Sequence, residues 1–140
     1  MQAGREIKFR AWNKVDEVMV LPERMFCQKG NGTVWHVDFG KKSGVLGQGI
    51  YVMMQFTGLH DANKVPIFEG DILEDFIFNK RYEVIWDDYG MFLFNPVGTT
   101  GNALDYYELE DEIAKCATIV VGNRYRDPNL LEVANDASRT

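Results

Sequence analysis

The sequence predicts a mainly β fold: an SH3-like small barrel, or roll, with an N-terminal β-hairpin sub-lobe and one or two short helices. Three observations predict it. Between residues 50 and 123, runs of about five to eight residues rich in β-branched and aromatic side chains are separated by tight turns, the spacing of a small barrel or sandwich. Ile7-Lys8-Phe9-Arg10-Ala11-Trp12 alternates apolar and basic, with the period of two of a half-buried strand. The order of strand, long loop closing on Gly70-Asp71, strand, tight turn, strand, turn, strand and a last strand after a helical turn suits an SH3-like barrel.

Composition bounds the rest. The chain has 140 residues, 46% of them hydrophobic and 13% aromatic, which supports an ordered globule rather than a disordered tail. The formal net charge of -6, from 21 acidic and 15 basic residues, works against non-specific binding to nucleic acid or an anionic membrane. Cys27 and Cys116 are far apart and form no CxxC pair, so they read as two buried thiols. Met1 to Glu6 precede no apolar signal-peptide core, and no apolar run approaches the roughly 18 residues of a bilayer span. A cytoplasmic protein with no membrane attachment is expected.

Taken in order, Ile7–Trp12 is a first strand with Ile7, Phe9 and Ala11 on one face and Lys8, Arg10 and Trp12 on the other. Asn13–Asp16 is a turn, and Glu17–Leu21 returns as a hairpin that Pro22 ends. Pro22–Cys27 reads as a short helix or a loop. Asn31-Gly32 carries hairpin-turn chemistry and leads into an alternating strand, Thr33–Phe39. The glycine-rich residues 40–49 read as a linker between a sub-lobe at 5–39 and the barrel at 50–131, the whole of 5–131 forming one compact unit.

Within the barrel, strands are expected over Ile50–Thr57, Asp71–Phe78, Arg81–Trp86 and Met91–Asn95. Tyr106, Leu109 and Ile113 sit at i, i+3 and i+7, the stripe of a short surface helix. Cys116–Asn123 is the last strand. Asp127-Pro128 has the pattern of an N-cap followed by a first-turn proline, and residues 132–140 have few core candidates and are expected to fray.

Three stretches together carry a resemblance. They are Arg5–Trp12, Gln55–Asn63 running on to Ile67–Ile72, and Val121–Leu131. Their order and spacing resemble the YopX family of phage and prophage proteins, from Arg5 to Leu131. The motif positions are Phe9, Arg10, Trp12, Gln55, Thr57, Gly58, Asp61, Asn63, Glu69, Gly70, Asp71, Gly122, Asn123 and Pro128, all read as structural. The sequence departs from the family at Asn13, where an aspartate is usual, and at Lys64, where the central turn commonly has Asn-Gly. Asn63 is expected to supply the left-handed residue of that turn. The resemblance implies a mainly β fold with an SH3-type barrel and a mobile-element origin, and it implies no activity.

The residues supply no reaction either. His60, Asp61, Glu69 and Asp71 are the densest ionisable group near turns, and a hydrolase using these carboxylates is one reading. The competing reading explains each where it stands: Asp61 and Asn63 make side-chain turns, and Asp71 opens a strand by accepting from backbone amides. Asp61-Ala62-Asn63 lacks the glycine and glutamate of a calcium loop. Two histidines, His36 and His60, without a cysteine pair do not make a zinc site. The glycines from Gly40 to Gly49 lack the Lys-Ser/Thr ending of a phosphate loop, and no serine nucleophile elbow appears. No cofactor is expected.

For nucleic acid, Lys8, Arg10 and Trp12 on one strand face, joined by Arg124, Tyr125 and Arg126, are the candidate binding face, since small barrels hold single strands by stacking between cations. The acidic balance and the lack of a long basic stripe weigh against it. The acidic run Glu108–Glu112 reads as a solvated helix face. The leading expectation is therefore a non-enzymatic protein-binding or assembly module whose partner is a protein, a second copy joined through exposed strand edges included.

Overall fold

The computed structural model describes residues 6–30, 32–39, 42–45, 49–98, 102–115 and 118–132. Among these, eleven strands run in the order β1 (Phe9–Asn13), β2 (Val18–Val20), β3 (Arg24–Gly30), β4 (Gly32–Phe39), β5 (Lys42–Val45), β6 (Tyr51–His60), β7 (Pro66–Phe68), β8 (Asp71–Asp75), β9 (Lys80–Trp86), β10 (Phe92–Pro96) and β11 (Thr118–Asn123). One helix, α1 (Tyr106–Lys115), precedes β11, and a 3-10 turn (Pro128–Leu131) follows it. The fold is mainly β and antiparallel throughout its strand pairs. Cys116 and residues 133–140, including most of the expected frayed tail, lie outside the described residues.

The chain divides into two compact units, Ile7–Gln55 and a second made of Phe56–Thr140 with Met1–Glu6. The division falls inside β6, which belongs to both. In the first unit β1 pairs with β2 on one side and with the first half of β6 on the other, from Phe9 opposite Gln55 to Asn13 opposite Tyr51. Ala11, Trp12 and Met54 are buried there. A separate sheet, β3-β4-β5, completes this unit.

Three expectations change in this unit. The segment Pro22–Cys27 is neither helix nor loop from Arg24 onward but the start of β3. The glycine-rich 40–49 contains β5, which pairs with β4 from Phe39 opposite Lys42 to His36 opposite Val45. Backbone pairing needs no apolar alternation, so composition alone hides such a strand. Trp12 does not lie on an open face with Lys8 and Arg10: it is only 6% exposed.

In the second unit, the end of β6 pairs with β7, and β10-β9-β8-β11 form a four-stranded sheet. Leu59, Ile67, Leu73, Tyr82, Val84, Phe92, Phe94 and Leu109 form its core. Helix α1 lays Leu109 onto that core, with Tyr106 and Ile113 packed beside it, so the predicted i, i+3, i+7 stripe is the buried one. The helix start is closed reciprocally: Glu108 N donates to Asp105 Oδ1 at 2.8 Å and Asp105 N to Glu108 Oε1 at 3.2 Å.

The expected strand Asp71–Phe78 stops at Asp75. Asp75 is fully buried, and its Oδ1 accepts from Ile77 N at 2.8 Å and Phe78 N at 3.2 Å. That side-chain turn takes the amides a continuing ladder would use. Asn79, at φ 54°, completes the reversal into β9.

Candidate functional site

The motif aspartates Asp61 and Asp71 sit at chain reversals, where their carboxylates accept from backbone N–H groups. At the end of β6, Asp61 Oδ1 accepts from Asn63 N at 2.8 Å and Val65 N at 2.9 Å, while Oδ2 accepts from Val120 N of β11 at 2.9 Å. Asp61 N donates to Val65 O, and Ala62 N to Thr118 O, so one buried carboxylate ties the turn to a strand 59 residues further on. Asp71 Oδ2 accepts from Phe68 N at 2.8 Å across a turn whose Gly70 lies at φ 88°, in the left-handed region that favours glycine. Thr57, fully buried beside Gly58 at the irregularity between β6 and β7, donates its hydroxyl to Ile67 O at 2.7 Å and accepts from Leu59 N at 3.1 Å.

After β11, Asn123 Oδ1 accepts from Tyr125 N at 3.0 Å and Arg126 N at 2.8 Å. Asp127 does not cap the 3-10 turn with its side chain. Its Oδ2 instead accepts from Asn123 N at 3.2 Å. In the first unit Asn13 does the same kind of work: its Oδ1 accepts from Val15 N and Asp16 N, so the usual aspartate is replaced without losing the acceptor. The carbonyl oxygen of the amide is what the turn uses.

The left-handed residue of the central turn is Lys64, at φ 66°, and not Asn63. A Cβ in that region costs about 1–2 kcal/mol. Lys64→Gly is therefore expected to stabilise the protein by about 1 kcal/mol after the extra freedom of the unfolded glycine is counted. A higher urea midpoint at unchanged slope confirms it, and a lower midpoint refutes it.

The histidine and the cations have contacts of other kinds. His60 is exposed, with its ring edge-on to Phe56 at 5.4 Å. Among the described residues no group of three His, Cys, Asp or Glu is placed to hold a metal ion. Lys8, Arg10 and Trp12 belong to the first unit, where Arg10 Nη2 approaches the Met54 sulfur at 3.6 Å. Arg124 and Arg126 belong to the second. Arg124 Nη1 lies 2.8 Å from Glu83 Oε2, and its guanidinium stands 5.7 Å from the centre of the Tyr125 ring. Burial raises the Tyr125 hydroxyl pKa above 10.0, partly offset by Arg124. Trp12 has no face to offer a stacked base, because it is buried.

What the sequence reading did not single out is an aromatic groove in the second unit. It opens where the core meets solvent, between the β9–β10 turn and the start of α1. Trp86, Met91, Phe92, Tyr106 and Tyr107 line it with Gly90 and Asp105, around a volume of about 500 Å³. Trp86 and Phe92 meet edge to face with centroids 4.8 Å apart, as Tyr106 and Tyr107 do at 5.6 Å. Trp86 is 46% exposed and Tyr107 76%. Asp87 fixes the turn beside it, its Oδ1 accepting from Tyr89 N and Met91 N. The available signal was local: Tyr107 falls off the helix's buried stripe, and Trp86 and Met91 flank the β9–β10 turn, where each stays about half exposed.

Among the described residues, no helix is long and apolar enough to cross a membrane. The structure is similar to that of protein EF1440 from Enterococcus faecalis, with a TM-score of 0.62 and 23% identity over 92% of this chain and all of that one, a likeness of fold. None of the curated proteins matches the chain. The YopX protein family matches residues 8–132, which contain all three motif stretches but for their outermost N-terminal residues, and the chain belongs to that family.

Proposed function

We propose that the chain is a non-enzymatic protein-binding or assembly module of phage or prophage origin, working in the cytoplasm of its host, with the strands from residue 50 onward forming an SH3-like small barrel. The observation that carries the reading is the aromatic groove at Trp86 and Tyr107. Exposed Trp and Tyr rings around a concave apolar surface are the composition of a binding hot spot. The family membership supports the mobile-element origin. The motif carboxylates support a structural role, since Asp61 and Asp71 accept from backbone amides.

The acidic residues beside the groove, Asp87, Asp88 and Asp105, disfavour a phosphate backbone there and favour a protein. The test is retention on the immobilised chain of a second copy, or of a protein from a lysate of the source organism. Tyr107→Asp, at an exposed position of the helix's first turn where a carboxylate is well placed, should release what the wild type retains. Retention of nothing by the wild type, or of the same proteins by the variant, overturns the reading.

A further inference from the structure

The β8–β9 tip presents three consecutive apolar side chains to solvent: Phe76, Ile77 and Phe78 are 50%, 55% and 61% exposed. A run of this kind on a folded surface marks an interaction site. The tip is held in shape. Fully buried Asp75 accepts from two of its amides and Asn79 closes the turn in the left-handed conformation, so little order remains to be imposed on binding.

We propose that the Phe76-Ile77-Phe78 tip of one copy seats in the Trp86–Tyr107 groove of another, joining copies of this chain head to tail. The proposal rests on the binding-module reading and names its partner. Three features argue for a second copy. A groove of about 500 Å³ is within the size range of ligand pockets, roughly 300–1,000 Å³, and its aromatic lining suits a Phe-rich guest.

Strand β9 begins at the tip with Lys80 and ends at the groove with Trp86. Six steps of about 3.3 Å separate the two sites by about 20 Å, so a copy cannot fill its own groove. The charges also match. Exposed Lys80 stands at the base of the tip, where Arg81 is already matched by Glu74 at 2.6 Å, and Asp87, Asp88 and Asp105 stand beside the groove. Because tip and groove are different surfaces, the contact is heterologous and propagates into a ring or an open chain.

Light scattering and sedimentation of the full chain decide it. The wild type should form species larger than a dimer whose proportion rises with concentration. Phe78→Asp and Tyr107→Asp should each shift association at least tenfold to higher concentration, with unchanged unfolding midpoints as the check on folding. Mixed in equal amounts, the two variants should form a dimer and stop there, since one retains a groove and the other a tip. A mixture no more associated than either variant alone overturns the proposal, as does a wild type that stays monomeric. If that monomer still retains a lysate protein which Tyr107→Asp releases, the binding-module reading stands and only the head-to-tail pairing falls. If it retains nothing, both fall. A monomeric wild type that binds phosphatidylglycerol vesicles, with Phe78→Asp abolishing the binding, also overturns the proposal and assigns the tip to a lipid surface.

Discussion

Asp61→Ala lowers the unfolding free energy of the Phe56–Glu132 region by about 4 kcal/mol, the largest effect expected of any single substitution in the motif. Three backbone N–H groups lose their acceptor at once: Asn63 and Val65 in the turn, and Val120 on β11. Hydrogen bonds to a charged group contribute about 1.5–3 kcal/mol each, and stranding a buried donor has its own cost, while water reaching the turn returns part of it. Domains of this size are stable by only about 5–15 kcal/mol, so the variant stands close to unfolding at ordinary temperature.

Asp61→Asn separates two causes. Its carbonyl oxygen still serves Asn63 and Val65, but its amide turns a donor toward Val120 N, and about half the loss is expected. Urea unfolding of both variants is the measurement. A change below about 1 kcal/mol for the alanine variant rejects the structural assignment of this residue. A hydrolytic activity abolished by Asp61→Asn at unchanged stability would revive the enzymatic alternative.

How far the sequence disclosed this molecule depended on what kind of information each element carries. Alternation exposed β1, β4 and β9, because a half-buried strand repeats every two residues, and the start of β6 was exposed by its run of β-favouring residues. The α1 stripe was legible for the equivalent reason, with Leu109 at its centre fully buried. Three-residue β7 was too short to show a period, and β5 lay in glycine-rich chain where pairing is made by backbone alone. The end of β8 depended on a choice between two fates for the same amides, ladder or Asp75 carboxylate, and an apolar run looks alike under both.

The site was harder for a related reason. The motif positions are visible as a pattern because turns need particular residue types in particular places. The groove and the tip are made of ordinary aromatic and aliphatic residues whose distinction is exposure. A phenylalanine at 78 and one at 94 read the same in sequence, yet the first is on the surface and the second has none of it.

Gly122→Ala is the second large effect: about 3 kcal/mol of stability lost for one methyl group. Gly122 lies in β11 at the irregularity between Val120 and Gly122, where the chain returns over it through Asp127 and Leu130. A Cβ there would lie 2.5 Å from Asp127 Oδ2, 2.8 Å from Leu130 Cδ1 and 3.0 Å from Asp127 Cγ. Asp127 cannot swing aside freely, because the same Oδ2 accepts from Asn123 N and Asp127 O accepts from Leu130 N. Overpacking of a fitted site costs about 1–3 kcal/mol, and a displaced carboxylate adds the lost hydrogen bond of about 1 kcal/mol.

A double-mutant cycle with Asp127→Ala isolates the cause. Asp127→Ala alone should destabilise through Asn123 N, whereas in the Gly122→Ala background it should cost less or restore stability, because it removes two of the three close approaches. Strict additivity of the two substitutions would show that the glycine is required for something other than the space taken by Asp127. Within the clash account, the residual loss in the double variant belongs to Leu130. Leu130→Ala in the same background should recover it, which places the requirement for glycine in the closure of the Asn123–Leu131 turn over β11.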